Sequence, residues 1–363
     1  MEKMTDAELR EKLGDSYHAP TGLYAKTKDM PFLGSVTCNI EEMDAGSWQE
    51  ITIDYTLGQS GMADGSWFKA TFRFYSDWEL FQTTDPSAAN YVSAEYHAAP
   101  TVPGQSPASV QKLSVRFDQK GHERPFQKAI IVDTFDGYLK AGDHIVIRMG
   151  DRRFGGPGTR VQTFTEQDFK FRCYVDPLGS SRFAAVEPDL VVNIKPGRPA
   201  ILQWAGSRIV RLGETLPLRV RAEDEWGNTC WDRPDRIQVE ATRDGKPCYQ
   251  REFNMPAHGW SVTLLDDVPT DQAGELVIHA TMPDHPSVKA QTFYVTIDSD
   301  LDYPRIFYTD LHVHSNDTIG TNSTEYNLTY GRDVTGLDVL AFAHNDFNIT
   351  TERWKCTVDL MRV

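Results

Sequence analysis

Long stretches of this chain alternate between apolar and polar residues, a period of two that is typical of half-buried β-strands. The segment "SWQEITIDYTLG" places Trp48, Ile51, Ile53 and Tyr55 on or near one face. Similar strand-like segments follow, separated by glycine and proline: "WFKATFRFYS", "KLSVRFD", "KAIIVDTF", "DHIVIRMG" and "DFKFRCYV". The pattern predicts a β-sandwich domain over residues 30–192, preceded by a helix and an arm in residues 1–29.

A second all-β unit is predicted after the linker-like segment "NIKPGRPA". Its strand candidates are "AILQW", "LPLRVRAED", "RIQVEAT", "SVTLL", "ELVIHA" and "QTFYVTI". Their number and spacing predict an immunoglobulin-like β-sandwich over residues 193–299.

The period changes in residues 300–363. The strand "IFYTDLHVH" is followed by a helix candidate that Ser323 or Thr324 caps and that ends near Gly331 or Gly336. The next strand, "LDVLAFA", is apolar on both faces, as a buried parallel strand is, and "TTERWKCTVDLMRV" begins another helix. This order of elements predicts the opening of an α/β sheet or barrel.

Composition excludes several classes of partner. The formal net charge is −15, which disfavours nucleic acid and anionic membranes. No apolar stretch approaches the roughly 18 residues of a membrane-spanning helix, and the charged N-terminal segment does not resemble a signal peptide. The five cysteines are widely spaced with no C-x-x-C, which indicates free thiols and a cytoplasmic location.

Two polar strand ends carry the candidate chemistry. His312 and His314 lie on one face of a strand, so both imidazoles can converge on one metal ion. His344, Asn345 and Asp346 follow the second strand, and parallel strands end at the same edge of a sheet. Asp346 is the predicted anionic ligand, and His344 is either a ligand or an acid–base group.

Further residues of these loops are assigned supporting roles. Asp310 and Asp317 are candidates for orienting the imidazoles, and Asp317 joins His344 as a catalytic candidate. Thr318, Thr321 and Asn345 are candidates for contacts with substrate or with the ligands.

Two other segments have both a functional and a structural interpretation. The glycine-rich loop "GDRRFGGPGTR" could form a backbone nest for an anion, or a plain connection between strands. The cluster Glu223, Asp224 and Glu225 could bind calcium, or form an acidic turn. The structural interpretation is favoured for both, because no helix start follows the loop and the cluster lacks spaced oxygen ligands.

At "DLHVHSNDTIGTNS" and "YGRDVTGLDVLAFAHNDFNIT" the chain resembles the polymerase-and-histidinol-phosphatase (PHP) superfamily of metallohydrolases. The likeness is to its bacterial branch of unknown function with β-sandwich modules before the barrel. It implies a distorted α/β barrel with two or three divalent ions (Mn, Fe or Zn). His312, His314 and Asp346 would be ligands, although the superfamily's Thr-Asp-His is replaced here by "HND".

The function expected from this resemblance is metal-dependent hydrolysis of a small-molecule substrate, with a phosphoester first and a carboxylic ester or thioester as the alternative. A barrel needs about 200 to 250 residues, so further polypeptide is expected to complete it. A second hypothesis is a non-catalytic β-sandwich binding scaffold with a degenerate barrel. The sequence does not choose the metal, the substrate or the oligomeric state, and a homo-oligomer is compatible with it.

Overall fold

The structure is a computed structural model that describes residues 33–100, 103, 110, 112–300, 302, 304, 306–345 and 349–362. The helix predicted in residues 1–29 therefore lies outside the described residues, as does Asp346. The chain divides into two compact units. The N-terminal unit runs to Ile194 and includes residues 346–356, and the C-terminal unit comprises Lys195–Asn345 and Thr357–Val363. No helix in the described ranges is long and apolar enough to cross a membrane.

Twelve strands build the N-terminal unit. They are β1 (Gly34–Cys38), β2 (Glu42–Asp44), β3 (Trp48–Gln49), β4 (Ile51–Leu57), β5 (Trp67–Phe72), β6 (Val92–His97), β7 (Lys112–Asp118), β8 (Lys128–Phe135), β9 (His144–Met149), β10 (Thr159–Arg160), β11 (Glu166–Asp176) and β12 (Ala184–Lys195).

These strands form a β-sandwich, which confirms the predicted fold of this part of the chain. One sheet has the order β1-β4-β9-β6 and the other the order β2-β12-β11-β5-β8-β7, while β10 and β3 form a separate pair. The core lies between the two larger sheets, where Tyr55 of β4 stacks on Phe68 of β5 with ring centroids 4.6 Å apart. Ile51 and Ile53 are fully buried as predicted, whereas Trp48 is 40% exposed on the separate strand β3.

The outer face of the six-stranded sheet is also covered. Lys69 of β5 is only 6% exposed, and its ammonium group lies 3.9 Å from the ring centroid of Phe183 and donates to the carbonyl of Gly121 at 2.9 Å. The His122 ring packs at a tilt against Tyr174, with centroids 4.1 Å apart. Burial lowers the pKa of Lys69 to about 8 and the pKa of His122 to about 3.

The C-terminal unit begins with nine strands. They are β13 (Ile201–Ala205), β14 (Ile209–Arg211), β15 (Leu218–Glu223), β16 (Arg236–Arg243), β17 (Lys246–Asn254), β18 (Val262–Leu265), β19 (Gly274–Thr281), β20 (Lys289–Ala290) and β21 (Phe293–Asp298).

Two sheets pack face to face here as well, as the immunoglobulin-like prediction required. Their orders are β18-β15-β13-β20 and β14-β21-β19-β16-β17. Trp204 of β13 faces Phe293 of β21 across the core, with ring centroids 5.9 Å apart. The first strands pair in parallel with the last ones: β13 with β20, and β14 with β21.

A strand–helix–strand segment follows these nine strands in the C-terminal unit. It consists of β22 (Thr309–Val313), α1 (Thr324–Thr329), a π-helix (Tyr330–Thr335) and β23 (Val339–Phe342), and α2 (Thr351–Leu360) follows. The Ser323 side chain caps α1 by accepting from the amide of Tyr326, and Gly336 ends the π-helix at φ 69°. Each is one of the two residues that the sequence left open for that end of the helical segment.

All five cysteines lie within the described residues, and each is a free thiol, as predicted. Cys173 and Cys230 are buried, and burial raises the pKa of both thiols. A thiol held protonated inside a core is a poor nucleophile. Neither buried cysteine is therefore suited to covalent chemistry.

The glycine-rich loop is structural. The Arg152 guanidinium donates to the carbonyls of Pro157 and Trp48 at 3.0 and 2.8 Å. Arg153 pairs with Asp151 at 2.6 Å and also with Glu95. Both arginines are thus used to hold the loop itself, which leaves the anion-nest interpretation without support.

Candidate functional site

The two predicted ligand histidines come together at the end of β22. The Nε2 atoms of His312 and His314 lie 3.2 Å apart, and the rings meet edge to face. Two nitrogen ligands of one tetrahedral zinc ion at about 2.0 Å would stand roughly 3.3 Å apart. Burial, and then the neighbouring His312, lower the pKa of His314, which favours its neutral, ligand-competent form.

A complete metal centre does not form from the described residues. No group of three or more His, Cys, Asp or Glu side chains within them could hold a metal ion. Asp346, the predicted anionic ligand, lies outside the described residues. His312 and His314 fit two positions of one ion, and the binding of two or three divalent ions stays a prediction.

The second polar strand end lies beside the first. β22 and β23 pair in parallel, which confirms the predicted arrangement. The His344 ring stacks on Phe342 with centroids 5.1 Å apart, and its Nε2 lies 3.3 Å from the Thr357 hydroxyl. Burial lowers the pKa of His344, the Asp317 carboxylate opposes that shift, and His314 adds to it. Asn345 also lies in this loop, with a buried side-chain oxygen that has no hydrogen-bond partner within the described residues.

The loop after β22 uses its polar side chains mainly to hold its own shape. The Asp317 carboxylate lies 2.7 Å from the Thr324 hydroxyl, and the Asp317 amide donates to the Ser315 hydroxyl at 3.2 Å. Ser315, Thr318 and Thr324 are buried. Asp317 therefore ties the loop to Thr324, the first residue of α1. This is a structural role, which a residue without catalytic function can fill.

Two of the other supporting candidates also make local contacts. The Asp310 carboxylate accepts from the amide of His312 at 3.1 Å, two residues along the same strand. The Thr321 carbonyl accepts from the Asn327 side chain at 3.3 Å. The structure thus places those predicted residues that it describes in one region, at the ends of β22 and β23.

Arginines of β15 anchor the helical segment, a feature that the sequence analysis missed. Arg219 donates to the carbonyls of Arg332 and Asp333, both at 3.1 Å, and Arg221 reaches the carbonyl of Val334 at 3.4 Å. The last carbonyls of a helix have no partner within it, and cations are favoured there. The alternation "RVR" on one strand was the available signal.

Aromatic side chains continue this anchor. Trp260 packs on Tyr326 and Tyr330, with centroid separations of 5.3 and 5.7 Å, and on Trp231 at 5.1 Å. The hydroxyls of Thr229 and Tyr330 lie 2.9 Å apart. The helical segment is therefore fixed to the β15–β18 side of the sandwich by both polar and aromatic contacts.

Replacing Arg219 with alanine is expected to loosen the π-helix by about 1–2 kcal/mol, because two helix-terminal carbonyls lose a charged donor. Hydrogen exchange should then accelerate roughly five- to thirtyfold at the amides of residues 330–337. Arg211→Ala, an exposed change on β14, is the matched control and should leave these amides unaffected. Equal exchange in wild type and Arg219→Ala would contradict the anchoring role.

The acidic turn at 223–225 is held by internal hydrogen bonds. Asp224 is 1% exposed, and its carboxylate accepts from the amides of Gly197, Trp226 and Asn228 and from the Asn228 side chain, each at 2.9 Å. These donors occupy the oxygens that calcium would need. The structural interpretation of this cluster therefore holds.

β22 is largely exposed, and β23 is half-buried with Val339 exposed, which corrects the prediction that the second strand is buried. Leu311 is 65% exposed, Val339 44%, and Phe307, just before β22, 56%. Ile306 and Tyr308 are exposed beside them. The apolar run "IFY" was noted in the sequence, but its exposure depends on what covers the strands and was not predicted.

Comparison with known proteins gives no family. No family model matches the sequence, and no curated protein matches it. Solved structures similar in part include the Escherichia coli adhesin FdeC, at 12% identity over 73% of this chain and 64% of that chain, with a TM-score of 0.25. A CARDB domain from Pyrococcus furiosus, solved with di-metal ions, is 15% identical over 29% of this chain and 94% of its own, with a TM-score of 0.21. The PKD domain of an M14-like peptidase from a Thermoplasmatales archaeon is 17% identical over 28% and 98%, with a TM-score of 0.20. TM-scores this low do not establish a shared fold.

The prediction of a PHP-like metal-dependent hydrolase is wrong. No family model supports it, and the described chain is almost entirely β-structure with two short α-helices and one π-helical turn. An α/β barrel needs eight strand–helix units, whereas the described residues provide one strand–helix–strand unit, that of β22 and β23. The resemblance rested on short motifs around two histidines, and the described side chains do not bring a third metal-binding group to them.

Proposed function

We propose that this chain is a non-catalytic β-sandwich scaffold that binds a partner macromolecule through its C-terminal unit. The observation that carries the proposal is the exposed apolar surface of the parallel pair β22–β23. Parallel strands are ordinarily covered on both faces, and an apolar surface held on a rigid support is typical of a binding site. The arginine and aromatic contacts to β15 and Trp260 supply that support.

The polar side chains of the same segment favour binding over catalysis. Asp317 holds its loop, Asp310 accepts from its own strand, and His344 stacks on Phe342. A general base needs a proton to abstract within hydrogen-bond reach and a partner that orients it. The contacts of Asp317, Asp310 and His344 hold the loops in one conformation, as a binding scaffold requires. A cytoplasmic location and the absence of nucleic-acid partners stay predictions.

Selection from a displayed random-peptide library, with a glycan array in parallel, tests the proposal on the whole chain. We expect ligands that lose affinity for Leu311→Lys but not for Leu264→Lys, a change at another exposed leucine of the same unit, on β18. We also expect phosphomonoester, phosphodiester and thioester substrates to be turned over no faster by wild type than by His312→Ala. Turnover that His312→Ala abolishes would refute the proposal.

Metal analysis of the same purified samples separately tests the prediction that the chain binds divalent metal ions. Retention of more than one equivalent of Mn, Fe or Zn, lost in His312→Ala, would support it. Retention of none by the wild-type chain would contradict it. Either result is compatible with a scaffold, because an ion that two histidines hold can serve structure alone.

A further inference from the structure

Two histidines face each other across neighbouring strands of the N-terminal unit. His97 of β6 pairs with His144 of β9 in the antiparallel register, so the two residues stand directly opposite. Both side chains lie on the outer face of the four-stranded sheet, because the adjacent residues Tyr96 and Ile145 pack inward on the core. Opposite residues of such a pair have Cβ atoms about 4.5–5.5 Å apart. Rotation of the side chains can therefore bring one nitrogen of each ring to the roughly 3.3 Å that two ligands of one zinc ion require.

A carboxylate beside each ring leaves the other ring nitrogen available to an ion. The Asp54 carboxylate lies 2.8 Å from Nδ1 of His144, with the Thr56 hydroxyl 3.3 Å from the same atom. A carboxylate accepts, so the neutral His144 ring has its proton on Nδ1 and its lone pair on Nε2. Glu95 lies 3.4 Å from Nε2 of His97, which leaves Nδ1 of that ring. No hydrogen bond to either remaining nitrogen is present within the described residues.

Both rings are accessible, and the strands around them place little positive charge there. The His97 side chain is 54% exposed and the His144 side chain 36%. β4 and β6 carry no lysine or arginine. Arg148 of β9 lies four residues from His144, about 13 Å along the strand. Its guanidinium pairs with Glu50 and Glu95 at 3.5 and 3.6 Å, so its charge is already compensated.

The position of the pair in the sheet gives a bound ion a structural effect. β6 stands last in the sheet order β1-β4-β9-β6, so within the described ranges β9 alone pairs with it in that sheet. A strand that is held on one side opens more readily than a central strand. An ion with one ligand from each strand would tie β6 to β9 and stabilise the folded unit by mass action.

We propose that His97 and His144 together bind one divalent transition-metal ion of the zinc class. Imidazole nitrogens suit such ions, and Asp54 positions the His144 ring as a carboxylate does behind many zinc-bound histidines. The described residues form no group of three side chains that could hold a metal ion, so water fills the other coordination positions. The site lies in the N-terminal unit and does not depend on the proposed function.

Zinc titration of the whole chain, after a chelator has removed bound metal, tests the site. His312→Ala is the background, because it removes the other histidine pair. We expect micromolar binding of Zn²⁺ to this background and a loss of about tenfold or more in affinity when His97→Gln or His144→Gln is added. His279→Gln, a change at an exposed histidine of β19, is the matched control and should leave the affinity unchanged.

Copper provides a readout of the ligands themselves. In the same background, electron paramagnetic resonance of bound Cu²⁺ should show coupling to two imidazole nitrogens, and to one when either His97 or His144 is replaced. Asp54→Ala should weaken zinc binding about tenfold because the His144 ring loses its orienting partner. Asp54→Asn keeps an acceptor for Nδ1–H and should restore most of that affinity.

Two results would overturn the inference. Absence of Zn²⁺ binding in the His312→Ala background is one. Binding that persists when His97→Gln and His144→Gln are combined is the other, since it would show an adventitious ion only. A Zn²⁺-dependent rise in the thermal unfolding midpoint that the combined variant loses would instead support an ion that ties β6 to β9. None of these outcomes bears on the scaffold function, which Leu311→Lys tests in the other unit.

Discussion

Replacing Asp224 with alanine is expected to lower the free energy of unfolding of the C-terminal unit by about 3 kcal/mol or more. The carboxylate is buried and accepts from three backbone amides and one side-chain amide, so its loss leaves several donors without a partner. Hydrogen bonds to a charged acceptor are worth more than neutral ones, and buried donors cannot all reach water. Urea unfolding followed by tryptophan fluorescence measures the change.

The neighbouring Glu225 is the matched control, because it carries the same charge on the same turn but is exposed. Glu225→Ala should change the free energy of unfolding by no more than about 0.5 kcal/mol. Similar losses in both variants would contradict the structural role of Asp224. Stabilisation of the wild-type chain by calcium, absent in Asp224→Ala, would instead favour the calcium interpretation.

Acidification should destabilise the N-terminal unit through His122. Burial first, and then Lys69 and Arg172, lower the pKa of this imidazole to about 3 in the folded chain, against 6.5 for an ordinary histidine. Above pH 6.5 the His122 imidazole is neutral in both the folded and the unfolded chain, so it does not change the free energy of unfolding. Between pH 6.5 and 3 the unfolded state binds a proton that the folded state does not, so stability falls as the pH falls.

The expected loss from this residue is roughly 3–5 kcal/mol across that window, at about 1.4 kcal/mol per pH unit. Glutamine is neutral at every pH, so His122→Gln should remove this contribution to the pH dependence of stability. Subtracting the variant's free energy of unfolding from that of wild type at each pH cancels the effect of carboxylate protonation, which both share. His97→Gln, an exposed change in the same unit, is the control. Parallel pH profiles for wild type and His122→Gln would show that the folded imidazole takes up its proton as readily as the unfolded one.

Local patterns predicted much of this fold because their physical cause is local. Ile51, Ile53 and Tyr55 alternate inward, and the strand positions follow from that period. Ser323 and Gly336 are where the capped segment begins and ends, since each satisfies a backbone requirement within a few residues. The parallel pairing of the two histidine-bearing strand ends followed from the strand–helix–strand order.

Long-range contacts set what the sequence did not predict. Lys69 is buried because Phe183, more than a hundred residues away, covers the outer face of its sheet. The second strand of the parallel pair is apolar on both faces, yet Val339 is 44% exposed. Whether a strand is buried depends on which other elements pack on it, and its own sequence does not determine that. The two histidines lie together as the strand period predicted, but metal binding by them stays a prediction, and a pair of histidines does not specify a third ligand.

The parallel pairing of β14 with β21 determines how the C-terminal unit bears mechanical load. Tension applied along the chain pulls β14 towards its beginning and β21 towards its end. Because the strands run in the same direction, Ile209, Val210 and Arg211 are displaced lengthwise against Thr296, Ile297 and Asp298. Their hydrogen bonds are then strained in shear and must fail together, whereas an antiparallel pair at the same place would unzip one bond at a time. The β14–β21 pair is therefore expected to resist a pull along the chain more strongly than an antiparallel pair of the same length would.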